Sequence, residues 1–197
     1  MKYLNRIALA MLFVMGSVVA HAQVETSVPF MKKNKGPETA PGITMDCDIA
    51  PEKLQAALDE HFKDESKIKG RKVSKDLYEY EGAHLTAVST QSIDYYFRLQ
   101  DEGKKKDPQT RFSMVMSYGN DNFLSSTNDN DREIESAKTF MEDIYERAQQ
   151  MDWDDQLEEM EKRKEDLAKQ KKDLDEQIQQ NEEQMKLLDG KRKGIKN

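Results

Sequence analysis

The sequence predicts an α+β fold: a two-layer sandwich of a small, mainly antiparallel sheet with helices, followed by a long, coiled-coil-like C-terminal helix. Three observations carry this. Residues 93–99 and 112–118 set Ile93, Tyr95, Phe97 and Leu99, and Phe112, Met114, Met116 and Tyr118, at every second position, as half-buried strands do. Residues 134–151 place apolar side chains at three- and four-residue steps, as a helix lying on a sheet does. From Trp153 onward that spacing gives way to a strict repeat of seven, the mark of a helix paired along a seam.

The N-terminus, MKYLNRIALAMLFVMGSVVAHAQ, has the layout of a secretory signal. Lys2 and Arg6 form a basic start, residues 7–20 form an apolar run, and Ala20-His21-Ala22 offers small residues where a signal peptidase reads them. Cleavage is expected before Gln23, making residues 1–22 a signal peptide. The apolar run of 14 residues falls short of the ~20 needed to span a bilayer. No later run approaches that length, so the mature chain is expected to have no membrane span.

Residues 23–42, with Pro29, Pro37, Pro41, Gly36 and Gly42, read as a flexible lead-in with a short strand at 24–28. The α+β domain is expected over residues 43–151. In GITMDCDI, Ile43, Met45, Cys47 and Ile49 alternate with polar residues and predict a strand. Pro51 opens a helix, because the first turn does not need its N–H. Leu54, Ala57, Leu58 and Phe62 then fall on one helical face. Residues 71–81 predict a strand with Tyr78 and Tyr80 on one side, and residues 82–91 are ambiguous, with another short strand as an alternative. Ile93, Tyr95, Phe97 and Leu99 pair, in expectation, with Phe112, Met114, Met116 and Tyr118 across the polar turn DEGKKKDPQT. Asn130 and Glu133 have the spacing of a capping box. Ile134, Ala137, Met141, Ile144, Ala148 and Met151 form the apolar stripe of the helix that follows.

Residues 152–189 predict a coiled-coil-like helix, about 57 Å long at ~1.5 Å per residue. Trp153, Met160, Leu167, Leu174, Asn181 and Leu188 form one heptad row, taken as d. Leu157, Lys164, Lys171, Ile178 and Met185 form the other, taken as a. Polar residues in such rows cost stability while setting register and oligomer number. Run backwards, the same register meets Ser136, Thr139, Asp143, Glu146 and Gln150, all polar. The buried face is therefore expected to change near residues 151–153. Gly190 reads as a C-cap, with residues 190–197 a short basic tail.

Composition narrows function. The full chain carries a net charge of −7, and loss of residues 1–22 removes two basic and no acidic residues, leaving −9. The Lys-rich stretch KRKEDLAKQKKDLDEQI lies within residues 152–189, which hold 14 acidic against 7 basic side chains. Nucleic acid binding rests on neutralised phosphates, so no nucleic acid partner is expected. Cys47 is the sole cysteine and belongs to the apolar side of its strand. A Cys47 nucleophile served by His61 or His84 is disfavoured, since Asp46 and Asp48 would raise the thiol pKa. Asp121, Asp129, Asn130 and Asp131 lack the spacing of a calcium loop and read as loop and capping residues. Two histidines in the mature chain make a histidine-based zinc site improbable. Phosphate-loop, nucleophile-elbow and HExxH patterns are absent from the sequence. No catalytic residues, metal or cofactor are therefore assigned.

QVETSV after the cleavage point, ITMDCDI, SIDYYFRLQ, FSMVMSYGNDNFLSS and the charged helix beyond it together resemble a group of exported Bacteroidetes proteins with no assigned activity. That resemblance implies a small α+β head, a charged C-terminal coiled coil and a periplasmic location, with the extracellular space as the alternative. It implies no site residues. The expected function is that of a non-enzymatic interaction or assembly protein of the bacterial envelope. Its partner, or a second copy, would be met through residues 152–189. The alternatives are a holdase-like periplasmic chaperone, or a small-ligand-binding domain using Tyr78, Tyr80 and Tyr96 on the sheet.

Overall fold

The computed structural model describes residues 24–31, 37–104, 107–119, 122–128 and 130–194. The chain divides into two units, Met1–Gln149 and Gln150–Asn197. The expected signal peptide lies outside the described residues.

The first unit is α+β. In chain order it contains β1 (Val24–Met31), β2 (Pro37–Cys47), α1 (Pro51–Glu65), β3 (Arg71–Lys72), β4 (Leu77–Ala83), β5 (Ile93–Asp101) and β6 (Thr110–Ser117). A short 3-10 turn (Ser126–Asn128) precedes the start of α2 (Asp131–Gly194). The strands form one sheet in the order β1-β2-β6-β5-β4-β3, and every pairing is antiparallel. The predicted central hairpin forms in register, with Phe97 opposite Met114 and Leu99 opposite Phe112. Lys104 and Asp107 bridge its turn.

One face of the sheet carries the alternating apolar residues. Ile43, Met45, Cys47, Ile93, Tyr95, Phe97, Leu99, Phe112, Met114 and Met116 are all buried there, together with Tyr78 and Tyr80. Leu54, Ala57, Leu58 and Phe62 of α1 and Ile134, Ala137, Met141, Ile144 and Ala148 of α2 are buried as well. Phe140 and Tyr145 widen the α2 stripe beyond the sequence expectation. An aromatic cluster joins these layers. Phe62 stacks on Tyr80 at 4.0 Å between centroids and meets the edges of Tyr95 and Phe97. Phe140 of α2 lies 6.2 Å from Phe97. Arg147 of α2 reaches Glu60 of α1 at 3.1 Å, tying the two helices at their solvent side.

Three sequence expectations are corrected in this unit. Residues 23–42 are not a flexible lead-in over their described part, because Val24–Met31 and Pro37–Cys47 pair as a hairpin. Prolines do not prevent this at a sheet edge, where their missing N–H breaks no ladder. The hairpin is held by more than its ladder. Val28 and Ala40 join Leu77 and Val115 in a second small core, with Val73, Tyr96 and Phe123 packed against it. The sequence hid this because each strand contributes one or two apolar residues to that face. Gly42 makes the crossing possible: a Cβ there would lie 2.6 Å from the Met114 carbonyl oxygen and 2.8 Å from Val28 Cγ2. Hydroxyls of Thr26, Thr44 and Ser113 continue across three strands at 3.1 and 3.0 Å.

The second correction concerns residues 71–81, which form two strands rather than one. Val73 and Ser74 both donate to the Leu77 carbonyl, so the chain turns back and Arg71 comes opposite Glu79, where the two side chains form an ion pair. The patternless stretch after it begins with a bulge between Tyr80 and Ala83, where Gly82 sits at φ +64°. The third concerns the start of α2. The Asn130 carbonyl accepts the Ile134 N–H at 3.0 Å, as an N-cap residue requires. Its side-chain nitrogen donates to the Ser125 carbonyl at 3.5 Å, and among the described residues no hydrogen bond joins Asn130 to Glu133 as a capping box would.

The second unit is the rest of α2. The helix does not stop at Gly190 but continues through the basic residues to Gly194, correcting the expected C-cap and tail. Lys191, Arg192 and Lys193 in the last turn suit the negative end of the helix dipole. Residues 195–197 lie outside the described part. Among the described residues no helix is long and apolar enough to cross a membrane.

Candidate interaction seam

Among the described residues the exposed large hydrophobic side chains lie in the second unit, and eight of them follow one pattern. Trp153, Leu157, Met160, Leu167, Leu174, Ile178, Met185 and Leu188 are each 55–68 % exposed. Lys164, Lys171 and Asn181 complete the two heptad rows and are also exposed. All eleven predicted seam residues therefore lie on one continuous helix and face solvent. The sequence reading missed Leu187, 68 % exposed, because it falls outside both rows.

The backbone forms here for local reasons. No proline or β-branched run interrupts residues 152–189, and Ile178 is the one β-branched residue among them. Side-chain pairs one turn apart add support: Lys162 with Glu158 at 2.5 Å, Gln150 with Asp154 at 2.9 Å and Gln156 with Asp152 at 2.6 Å. Lys169 takes Asp166 at 3.6 Å. Such exposed pairs contribute only tenths of a kcal/mol each. A free-standing helix of this kind gains nothing from large side chains at every seventh position, whereas pairing buries them. Each buried Leu or Ile is worth about 1.5–3 kcal/mol. A strict repeat of seven drifts by about 20° per heptad on a straight helix, so the seam is continuous only if the paired helices supercoil to the left.

The first unit holds the other residues that the sequence singles out. Cys47 is buried, and burial, then Asp46 and Asp48, push its thiol up to about 12, leaving it protonated at neutral pH. Among the described residues neither histidine hydrogen-bonds to it. The His61 ring lies edge-on to Phe140 at 5.1 Å, and its Nε2 is 3.7 Å from Glu65, beyond hydrogen-bond reach. Burial lowers the His61 pKa, against the opposing pull of Glu65. The His84 carbonyl accepts from Ser66. Asp121 and Asp129 lie outside the described residues, while Asn130 and Asp131 begin α2. Among the described residues no three His, Cys, Asp or Glu side chains converge as a metal site.

The tyrosines proposed as a ligand platform do not come together. Tyr78 and Tyr80 are buried on the helix side, where the Tyr80 hydroxyl donates to Asp59 at 2.8 Å. Tyr96 packs against the opposite core. A depression between residues 86–90 and the first turns of α2, about 40 Å³ in volume, has room for a water or two. Ligand pockets run from about 300 Å³ upward. Comparison with protein-family models, with curated proteins and with solved structures found no match.

Proposed function

We propose that the protein is an exported, non-enzymatic interaction protein of the bacterial envelope, periplasmic in location, which associates through residues 152–189. One observation carries this reading: eight large apolar side chains stand exposed on a single heptad register. Contiguous exposed apolar surface marks interaction sites, and the heptad spacing marks a helical partner. Export rests on the composition of residues 1–22, with their basic start, apolar run and small residues at Ala20 and Ala22.

The test is crosslinking in the intact envelope followed by mass spectrometry, alongside light scattering of residues 23–197 at high concentration. Crosslinks from residues 152–189 to another protein, or to the same residues of another copy, are expected. A monomer in solution together with no envelope crosslinks from this segment would remove the reading. Export is checked separately by the N-terminal residue of the protein recovered from cells, expected to be Gln23.

A further inference from the structure

The charges along the second unit fall into four blocks of alternating sign. Residues 152–161 carry six acidic and no basic side chains, and residues 162–172 carry six basic and two acidic. Residues 173–183 carry five acidic and no basic, and residues 184–194 carry four basic and one acidic. The order from start to end is therefore −6, +4, −5, +3. Two such helices side by side and parallel would set every block against its like. Reversed, they set −6 against +3 and +4 against −5. Paired helix axes lie about 8–10 Å apart, within a Debye length of ~8–10 Å at physiological salt, so the difference is felt.

The polar seam residues are compatible with the same arrangement. In an antiparallel pair each a position shares a layer with a d position of the other helix. Placing Leu167 level with Ile178 puts Met160 level with Met185, Leu157 with Leu188, and Lys164 with Asn181. Lys164 and Asn181 then share a layer, the three layers just named are wholly apolar, and Lys171 of each copy meets Leu174 of the other. A shift of one heptad one way sets Lys164, Lys171 and Asn181 all against leucines. A shift the other way gives Lys171 to Asn181 but sets Lys164 against Leu188 and Met160 against Arg192 and takes the charge blocks out of line. A parallel pair stacks Lys164 on Lys164 and Lys171 on Lys171. We propose that the seam is a self-recognition site, in which residues 153–192 pair with a second copy of this chain in antiparallel orientation, Lys164 sharing a layer with Asn181.

This deepens the interaction reading and rests on it. The pair is two-fold symmetric, so every layer occurs twice and the interface closes on itself as a dimer. Trp153 comes level with Arg192, a cation that suits an indole face. One flank opposes the pairing. The e row is acidic at Asp154, Glu161, Asp175, Glu182 and Asp189, and Glu161 comes level with Glu182 of the second copy. That local repulsion sits at the border of blocks that attract, and reversing its sign reads out the register.

The test uses residues 23–197. Met160→Cys and Met185→Cys chains are mixed and oxidised. Cys47 is buried, so the introduced thiols report. A disulfide joining position 160 of one chain to position 185 of another is expected, since these positions share a layer and come within bonding distance. Glu161→Lys is expected to tighten the dimer about three- to tenfold by sedimentation equilibrium, two exposed ion pairs replacing two repulsions. Raising salt is expected to loosen the unmodified dimer. Crosslinks only between like positions would establish a parallel pair and overturn the proposal while leaving the seam an interaction site. A monomer at high concentration would also overturn it, and the broader reading would then stand or fall on envelope crosslinks from residues 152–189 to a different protein.

Discussion

The two parts of α2 follow one helical backbone and opposite rules. Up to Ala148 its large apolar residues, Ile134, Phe140, Met141, Ile144 and Tyr145, are at most 8 % exposed. From Trp153 every described position is exposed through to Lys193, apolar or not. The first part spaces its apolar residues for a stripe that covers a flat sheet. The second narrows them to two rows, which suits another helix and nothing flat. The difference teaches that apolar content alone does not mark a core; the width of the stripe tells which kind of surface it was made to meet.

The largest effect expected from breaking this comparison comes from the core side. Phe97 is fully buried and its ring neighbours Phe62, Tyr80, Tyr95, Phe112 and Phe140. Phe97→Ala should cost about 3–5 kcal/mol in chemical denaturation of residues 23–197 followed by tyrosine fluorescence or near-UV circular dichroism. A loss below ~1 kcal/mol would show that the aromatic cluster is not the centre of the first unit. Next comes Gly42→Ala. Its Cβ would press on the Met114 carbonyl oxygen and on Val28, so a loss of about 1–3 kcal/mol is expected from overpacking. A neutral result would mean that the N-terminal hairpin does not need its close approach to β6.

The sheet's helix-covered face was legible because β5 alternates in sequence as it does in burial. Ile93, Tyr95, Phe97 and Leu99 announce one side without help from the rest of the chain. The hairpin of β1 and β2 was not legible, since Val28, Ala40, Leu77 and Val115 meet from four strands and leave no periodic trace in any of them. Local composition, with three prolines and two glycines between residues 23 and 42, pointed to a loop, and tertiary contacts overrode it. Gly190 was misread for a local reason, since nothing lies within 4 Å of where its Cβ would be. A glycine costs a helix only about 1 kcal/mol, and the basic turn beyond it favours continuing. The seam was legible in full as a register, since heptad spacing is a property of sequence. What no repeat can display is whether those residues are covered, and exposure of all eight large apolar ones is the structural addition.

A smaller effect is expected from pH in the first unit, at His61 of α1. Burial against Phe62 and Phe140 lowers the His61 pKa from its ordinary 6.5; Glu65, Asp143 and Asp64 oppose the shift and Arg147 adds to it. The folded chain thus binds this proton less readily than the unfolded one. Stability from the neutral ring is fully present above pH 6.5 and is lost as pH falls from there through the lower folded value. His61→Gln should flatten the stability profile between pH 7 and 5, read from denaturant midpoints at each pH. A profile as steep as that of the unchanged protein would assign the acid sensitivity to other groups.

The smallest expected effect on stability is the one that sharpens the comparison most. Leu167 and Ile144 are both large aliphatic residues on α2, yet Leu167 is 56 % exposed and Ile144 1 %. Ile144→Ala should destabilise by about 2–5 kcal/mol. Leu167→Ala exchanges an exposed leucine for the best helix former, so under dilute, monomeric conditions unfolding of the first unit should shift by no more than ~0.5 kcal/mol. At high concentration the same substitution should weaken association several-fold, because the methyl groups it removes would be buried only in the paired seam. Concentration-dependent melting distinguishes the two regimes: a Leu167→Ala chain that melts like the parent at every concentration would make the heptad row a solvated stalk. One that diverges from the parent only as concentration rises would locate the stabilising role of Leu167 outside the single chain.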